Sequence, residues 1–103
     1  MMKNIKYVNM LTLNPAFRDT VIASDRDQVR AIALSSGFFR PDEVEVAVEL
    51  VDEVLEKGEA SGYHFIFALI DEQPVGFVCY GAIPCTIGSY DLYWIAVEEK
   101  YRG

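Results

Sequence analysis

The stretch Tyr90-Asp91-Leu92-Tyr93-Trp94-Ile95-Ala96-Val97, close to the end of the chain, consists mainly of aromatic and aliphatic residues. Such residues favour a pleated, half-buried surface, so this stretch predicts a β-strand. Residues 63–70 and 75–83 have the same character. The connections between the three are short: Asp71-Glu72-Gln73-Pro74, and a loop over residues 84–89 that contains Pro84 and Gly88. Short connections favour hairpins, which predicts a mostly antiparallel sheet.

The first half of the chain follows a helical period instead. Ser24-Asp25-Arg26-Asp27 is typical of a helix start, with the Ser24 hydroxyl accepting a hydrogen bond from a backbone N–H three residues on. Gly37 predicts the end of this helix, because glycine takes the left-handed conformation without a Cβ clash. A second helix is predicted from Pro41 to Gly58. Its apolar face comprises Val44, Ala47, Val48, Val51, Val54 and Leu55. Its acidic face comprises Asp42, Glu45, Glu49, Asp52, Glu53 and Glu56, and is compatible with a solvated surface or with docking of a basic partner.

The order of these elements indicates the fold class. A short first strand is predicted within Asp19–Ala23, on its β-branched pair Val21-Ile22. Two helices and three strands follow, which predicts an α+β fold in which two N-terminal helices pack on one side of a mostly antiparallel sheet, as in an α/β sandwich. Residues 1–18 are interpreted as an N-terminal arm or short strand, and residues 19–103 as the domain.

Composition and charge narrow the class of protein. The net charge of -7 makes binding to nucleic acid or to an anionic membrane unfavourable, so we expect neither as a partner. The sequence has no run of 18 apolar residues, and its N-terminus lacks the uninterrupted apolar core of a signal peptide. A cytoplasmic location is the expectation. Cys79 and Cys85 are then expected to be free thiols, and no cluster has metal-ligand spacing.

Residues 19–103 resemble the N-terminal part of a GCN5-related N-acetyltransferase (GNAT) domain. The resemblance rests on the order of the elements, on Pro74-Val75-Gly76-Phe77 opening the middle strand, and on Arg102-Gly103 shortly after the last strand. In that family a Gln/Arg-x-x-Gly-x-Gly/Ala loop after the fourth strand binds the pyrophosphate of acetyl-CoA. Arg102 and Gly103 match its first two positions. The resemblance therefore implies an incomplete acetyltransferase fold that is truncated inside this motif.

The resemblance also implies where the thioester of acetyl-CoA would bind. In the family a backbone N–H near the end of the fourth strand stabilises the oxyanion that forms at the thioester carbonyl. The matching position, seven residues before Arg102, is Ile95. Ala96 and Val97 would pair with the pantetheine arm through their backbone, like an added strand. The same three residues are also compatible with plain buried strand.

The attacking amine must lose a proton, which requires a general base. In some family members the general base is a carboxylate on the fourth strand, eleven residues before the loop motif. The residue at the matching position here is Asp91. Asp91 is equally compatible with a solvated residue at the strand mouth. Tyr93 is predicted on the same face as Asp91, because strand side chains alternate, and either lines the substrate groove or packs in the core.

Phe38 and Phe39 lie between the two predicted helices, where the family often has its acceptor site. They would bind an apolar part of the acceptor or cap the core. The acceptor amine is unknown, and the acidic surface favours a cationic small molecule or a basic peptide.

The resemblance implies a parent N-acetyltransferase that uses acetyl-CoA, with this chain inactive by itself and binding acetyl-CoA weakly or not at all. The last predicted strand would have an unpaired edge, so we expect a homo-oligomer formed through it. The alternative interpretation is a non-catalytic α+β module of the same or a sensor-like fold that binds a ligand or a protein.

Overall fold

A computed structural model describes residues 15–82, 88 and 90–101 of the chain. Of the predicted arm or short strand over residues 1–18, residues 1–14 therefore lie outside the described residues. The structure confirms the predicted α+β fold. The strands and α-helices are β1 (Ala16–Arg18), α1 (Asp25–Ser36), α2 (Pro41–Lys57), β2 (Tyr63–Ile70), β3 (Gln73–Ala82) and β4 (Tyr90–Val97), and short 3-10 helices follow α2 (Gly58–Ser61) and β4 (Glu99–Tyr101).

The four strands form one sheet in the order β1-β2-β3-β4, and each neighbouring pair is antiparallel. Both helices pack on the same face of this sheet, and the core lies between the two layers. Its buried side chains come from α1, α2 and the three long strands: Val29, Ile32, Ala47, Val48, Val51, Phe65, Phe67, Phe77, Cys79 and Ala96. The predicted arrangement of helices and sheet is therefore confirmed.

The first strand differs from its prediction. The sequence placed it within Asp19–Ala23, whereas the strand is Ala16–Arg18. The reason is the side chain of Asp25, which is fully buried and accepts hydrogen bonds from the Arg18 guanidinium and from the backbone N–H of Ile22. The Ile22 N–H is thus used at the start of α1 and is not available for a sheet.

The same carboxylate changes the start of α1. Ser24 was predicted to cap this helix, but its backbone is already helical, at φ -67° and ψ -16°, and its side chain makes no capping hydrogen bond. Asp25 instead holds the turn that precedes the helix. The predicted end at Gly37 is confirmed, with φ at 77° and its N–H donating to the Leu34 carbonyl.

The second helix begins and ends where the sequence predicted, at Pro41 and before Gly58. The Glu43 carboxylate accepts a hydrogen bond from the Arg40 backbone N–H and so closes its first turn. Of the predicted apolar face, Val54 is half-buried and Leu55 is 40% exposed, so the buried stripe is narrower than predicted. The fully buried members are Val44, Ala47, Val48 and Val51.

Two carboxylates of the predicted acidic face contact α1. Arg26 binds Asp52 at 2.7 Å and Arg30 binds Glu45 at 2.9 Å, which joins the exposed sides of the two helices. The hydrogen bond from Arg30 lowers the pKa of Glu45 below its usual range. This face is therefore partly neutralised by α1 and is not simply solvated.

The β2–β3 hairpin turns over Asp71 and Glu72, both in the left-handed region with φ at 51° and 66°. Two successive residues of this kind form the tight turn whose twist matches that of antiparallel strands. The predicted turn, Asp71 to Pro74, is thus shortened, and β3 begins at Gln73 instead of Val75. The predicted bounds of β2 and β4 are confirmed.

Candidate active site

The strand β4 is irregular at Tyr93. Cys79 of β3 lies opposite Trp94, whereas the next residue of β3, Tyr80, lies opposite Leu92. Tyr93 is therefore an extra residue in β4, which is a β-bulge that bends the strand and increases its twist. The bulge puts the neighbouring side chains of Tyr93 and Trp94 on the same, helix-covered face of the sheet.

The strand β4 forms one edge of the described sheet, so part of its backbone points away from β3. The Glu98 N–H donates to the Val75 carbonyl at 2.8 Å and therefore points towards β3. Because backbone groups alternate along an antiparallel strand, the N–H of Ala96 also points to β3, and those of Ile95 and Val97 point to the outer edge. Ile95, Ala96 and Val97 were predicted to contact acetyl-CoA through their backbone. Of these three, Ile95 and Val97 have their N–H groups at the outer edge.

Tyr93 lies beside the start of β2, and its side chain is 42% exposed. Its ring meets that of Tyr63 edge to face, with 5.8 Å between the ring centroids. A Cβ at Gly81 would lie 2.9 Å from the Tyr93 ring and 2.7 Å from the carbonyl oxygen of Gly62, so this approach requires a glycine. Asp91 lies opposite Gly81 and is exposed. The register therefore places Asp91 and Tyr93 on the same face, at the same end of β4.

The two phenylalanines between the helices occupy different environments. Phe39 packs against the core, and its ring centroid lies 4.7 Å from that of Trp94. Phe38 is 73% exposed. The connection between the helices therefore contacts β4 beside the bulge through Phe39, whereas the Phe38 ring is largely exposed to solvent.

A shallow groove of about 350 Å³ runs from Tyr63 along α2. Apolar side chains of Val46 and Leu50 line it together with the carboxylates of Glu49 and Glu53. Glu53 also binds Lys57 at 3.0 Å, and this hydrogen bond raises the pKa of the lysine. The groove thus combines an aromatic ring, apolar side chains and negative charge.

The sequence reasoning did not single out Tyr63, Gly81 or the groove. Gly62 is a signal for the turn that precedes Tyr63, but nothing in the sequence shows that this turn meets Gly81 across the sheet. Arg102 and Gly103, predicted to begin the pyrophosphate loop, lie outside the described residues. Within the part of the chain that the structure describes, no cluster of His, Cys, Asp or Glu could hold a metal ion. No helix in that part is long and apolar enough to cross a membrane.

The solved structures that are similar to this chain include two acetyltransferases. One is an acetyltransferase assigned to the GNAT family, from Desulfovibrio desulfuricans, which is 51% identical in sequence with a TM-score of 0.83. The match covers 85% of this chain and 55% of that one. The other is the PaiA N-acetyltransferase of Thermoplasma acidophilum in complex with coenzyme A, with a TM-score of 0.64 over 86% of this chain and 62% of that one. At 17% identity this second likeness concerns the fold alone.

This chain thus spans little more than half the length of the protein that is 51% identical to it. No protein-family model matches the sequence, and no curated protein matches it. The family is nevertheless evident from the 51% identity and from the shared fold. The chain belongs to the GNAT family of acetyltransferases.

Proposed function

We propose that this chain provides the thioester-binding strand and the acceptor side of an acetyl-CoA-dependent N-acetyltransferase. The observation that carries the proposal is the outer edge of β4, where the N–H groups of Ile95 and Val97 point away from β3 directly after the bulge at Tyr93. Family membership supports it. An edge strand with outward N–H groups can take an extended, amide-containing ligand as if it were another strand.

In this proposal acetyl-CoA supplies the acetyl group as a thioester. The Ile95 N–H donates to the carbonyl oxygen, where negative charge develops when the amine attacks. The backbone of Val97 pairs with the pantetheine arm. The acetyl carbon gains its bond to nitrogen and loses its bond to sulfur. An acceptor that arrives as an ammonium group loses two protons in all: one is taken by a base before the attack, and the second ends on the sulfur, so that coenzyme A leaves as the free thiol.

We assign the acceptance of the first proton to Asp91. It is exposed at the start of β4, and the register puts it on the same face as Tyr93. A carboxylate in this position can take a proton from an ammonium group directly or through one water. Tyr93, Phe38 and Phe39 are the proposed lining of the acceptor side, where their rings would contact the apolar part of the amine.

The acceptor class follows from charge. The groove beside Tyr63 carries Glu49 and Glu53, and the whole chain has a net charge of -7. A cationic small molecule or a basic peptide is therefore favoured over an anionic acceptor. A cytoplasmic location is part of the same proposal, consistent with Cys79 as a buried free thiol.

We further propose that the 103-residue chain binds acetyl-CoA only weakly and is inactive by itself. Arg102 and Gly103 match two positions of the six-position pyrophosphate motif, and phosphate groups are usually held by several N–H groups at a helix start. Calorimetric titration with acetyl-CoA is expected to give a dissociation constant in the millimolar range. A micromolar constant would contradict this part of the proposal.

The role of the Ile95 N–H can be tested by proline substitution. Proline is tolerated in an edge strand where its position faces outward, so Ile95→Pro is expected to keep the fold and to remove the proposed donor. Ile95→Ala keeps the N–H and is the matched control. In titrations with acetyl-CoA followed by NMR, Ile95→Ala should retain the chemical-shift changes of the native chain and Ile95→Pro should lose them. Equal responses of the two variants would remove Ile95 from the site.

A further inference from the structure

The strand β4 contacts the end of α1 on both sides of its proposed thioester segment, Ile95-Ala96-Val97. Before the segment, the ring of Trp94 packs against that of Phe39, with 4.7 Å between the two ring centroids. After it, the Ser35 hydroxyl accepts a hydrogen bond of 3.2 Å from the backbone N–H of Glu99. One short part of the chain therefore holds this segment of β4 from both ends.

Both contacts come from residues 35–39, here called the α1 turn, where α1 ends and the connection to α2 begins. Gly37 reverses the chain there with a φ of 77°, a conformation that glycine adopts without a Cβ clash. The buried Ser36 hydroxyl donates to the Ala33 carbonyl at 2.7 Å and accepts from the Phe38 N–H at 3.4 Å. These bonds span the reversal, so the α1 turn has a defined backbone from which its side chains reach β4.

The direction of the Ile95 N–H depends on the residue before it. This N–H belongs to the planar peptide group that joins Trp94 to Ile95, so it turns with the backbone of Trp94. Trp94 directly follows the extra residue of the bulge, where the hydrogen-bond ladder to β3 is locally interrupted. The ring contact with Phe39 therefore supplies part of the restraint that the ladder lacks at this point.

The other end of the segment is held in a similar way. The strand β4 ends at Val97, and the next residue, Glu98, is bound to β3 through its N–H and the Val75 carbonyl. The N–H after that, of Glu99, has the Ser35 hydroxyl as its partner, which ties the chain to α1. The backbone of Val97 thus continues into a part of the chain that is bound to both layers of the domain.

We propose that Phe39 and Ser35 are positioning residues for acetyl transfer, acting on β4 through Trp94 and Glu99. The inference rests on the proposed thioester site, and neither residue needs to touch acetyl-CoA. An oxyanion donor stabilises the developing charge best when its direction is set before the reaction, and small displacements of such groups lower the rate strongly. The α1 turn therefore sets the geometry of the thioester site without lining it.

The test is a titration of the isotope-labelled chain with acetyl-CoA, followed by NMR at the Ile95 and Val97 amides. No acceptor amine is present, so the proposed contact of Phe39 with the acceptor does not enter the result. Phe39→Leu keeps an apolar side chain and removes the ring, whereas Ser35→Ala removes the hydroxyl. Each is expected to weaken acetyl-CoA binding about threefold, the effect of losing one aromatic contact or one hydrogen bond.

Two controls separate positioning from stability. Ser35→Thr keeps a hydroxyl at the same place and should bind acetyl-CoA like the native chain. Tyr90→Leu removes a ring from β4 that meets the Tyr80 ring edge to face at 6.0 Å, on the face of the sheet away from the helices. It should lower the free energy of unfolding in urea, as Phe39→Leu does, and leave acetyl-CoA binding unchanged.

Circular dichroism establishes that each variant is folded, and the two Ser35 variants carry the comparison even where Phe39→Leu unfolds. Native-like binding by both Phe39→Leu and Ser35→Ala would overturn the positioning role and leave the thioester site intact. An equal loss of binding in Tyr90→Leu would also overturn it, because any loss of packing on β4 would then have the same effect. A native chain without a response at Ile95 and Val97 would instead contradict the thioester site, and with it this inference.

Discussion

Asp25 is the residue that connects β1 to α1 and so stabilises the first part of the domain. Its side chain is fully buried, accepts two hydrogen bonds of 2.8 Å from Arg18, and ties β1 to the start of α1. The Arg18 guanidinium also lies 4.8 Å from the centre of the Phe67 ring. Removal of one partner of a buried ion pair leaves the other charge buried without a counter-charge. The resulting loss of stability is larger than the net stabilisation that the intact pair provides.

We therefore expect Asp25→Ala to lower the free energy of unfolding by about 3 kcal/mol. Arg40→Ala is the control, because it breaks an ion pair, with Asp42, whose two side chains are mostly exposed. It should change stability little, since exposed pairs contribute little in water. Urea denaturation of both variants measures their free energies of unfolding. An equal decrease in the two variants would show that the buried ion pair of Asp25 stabilises the chain no more than an exposed one.

Cys79 provides a prediction that depends on pH. Burial of the side chain raises the pKa of its thiol from 9.0 to about 12, because the interior disfavours the thiolate. In the Cys85→Ser background, Cys79 should fail to react with a thiol reagent at pH 8 while the chain is folded, and should react once it is unfolded. As the pH rises above 9, only the unfolded state loses this proton, so stability should fall. Rapid labelling of the folded chain would contradict this account.

At the scale of elements, the β2–β3 turn contains a strained residue that can be relieved. Glu72 has a φ of 66°, a conformation that costs a residue with a Cβ about 1 kcal/mol or more. Glu72→Gly should therefore raise the free energy of unfolding by about 0.5–1 kcal/mol. The same substitution inside α2, Glu56→Gly, should lower it by about 1 kcal/mol, because glycine is unfavourable in a helix. Thermal denaturation compares the two, and a loss of stability in both would exclude strain at the turn.

The elements that the sequence predicted well are those with a local signal. Pro41 and Gly58 mark α2, and the aromatic and aliphatic runs of β2 and β4 have the predicted bounds. The prediction of β1 was wrong because its position depends on Arg18 reaching Asp25, seven residues away, and no periodicity reports such a contact. The bulge at Tyr93 was missed for a similar reason, since an extra residue is defined only against the partner strand.

The site could be predicted less completely than the fold. Resemblance to the family indicated Ile95, Ala96 and Val97, but the direction of each N–H depends on the pairing of β4 with β3. The contact between the Glu98 N–H and Val75 is what assigns Ala96 to the sheet and its two neighbours to the outer edge. Asp91 and Tyr93, predicted on one face, stay candidates for the acceptor side.

At the scale of the whole molecule, the sheet is a central layer with helices on one face and an apolar surface on the other. The core lies on the helix-covered face, which also carries Asp91 and Tyr93 of the proposed acceptor side. The proposed thioester site is the outer edge of β4. The sequence prediction that two copies pair through this edge stays a prediction.

The most direct test of the central claim is a map of where acetyl-CoA contacts the chain. We would follow the backbone amide signals by NMR while adding acetyl-CoA to millimolar concentration. The account predicts that the largest changes occur at Ile95 and Val97, with smaller changes at Ala96, whose N–H points into the sheet. Largest changes at residues away from β4, or no change along β4 at millimolar acetyl-CoA, would contradict the assignment of this strand as the thioester site.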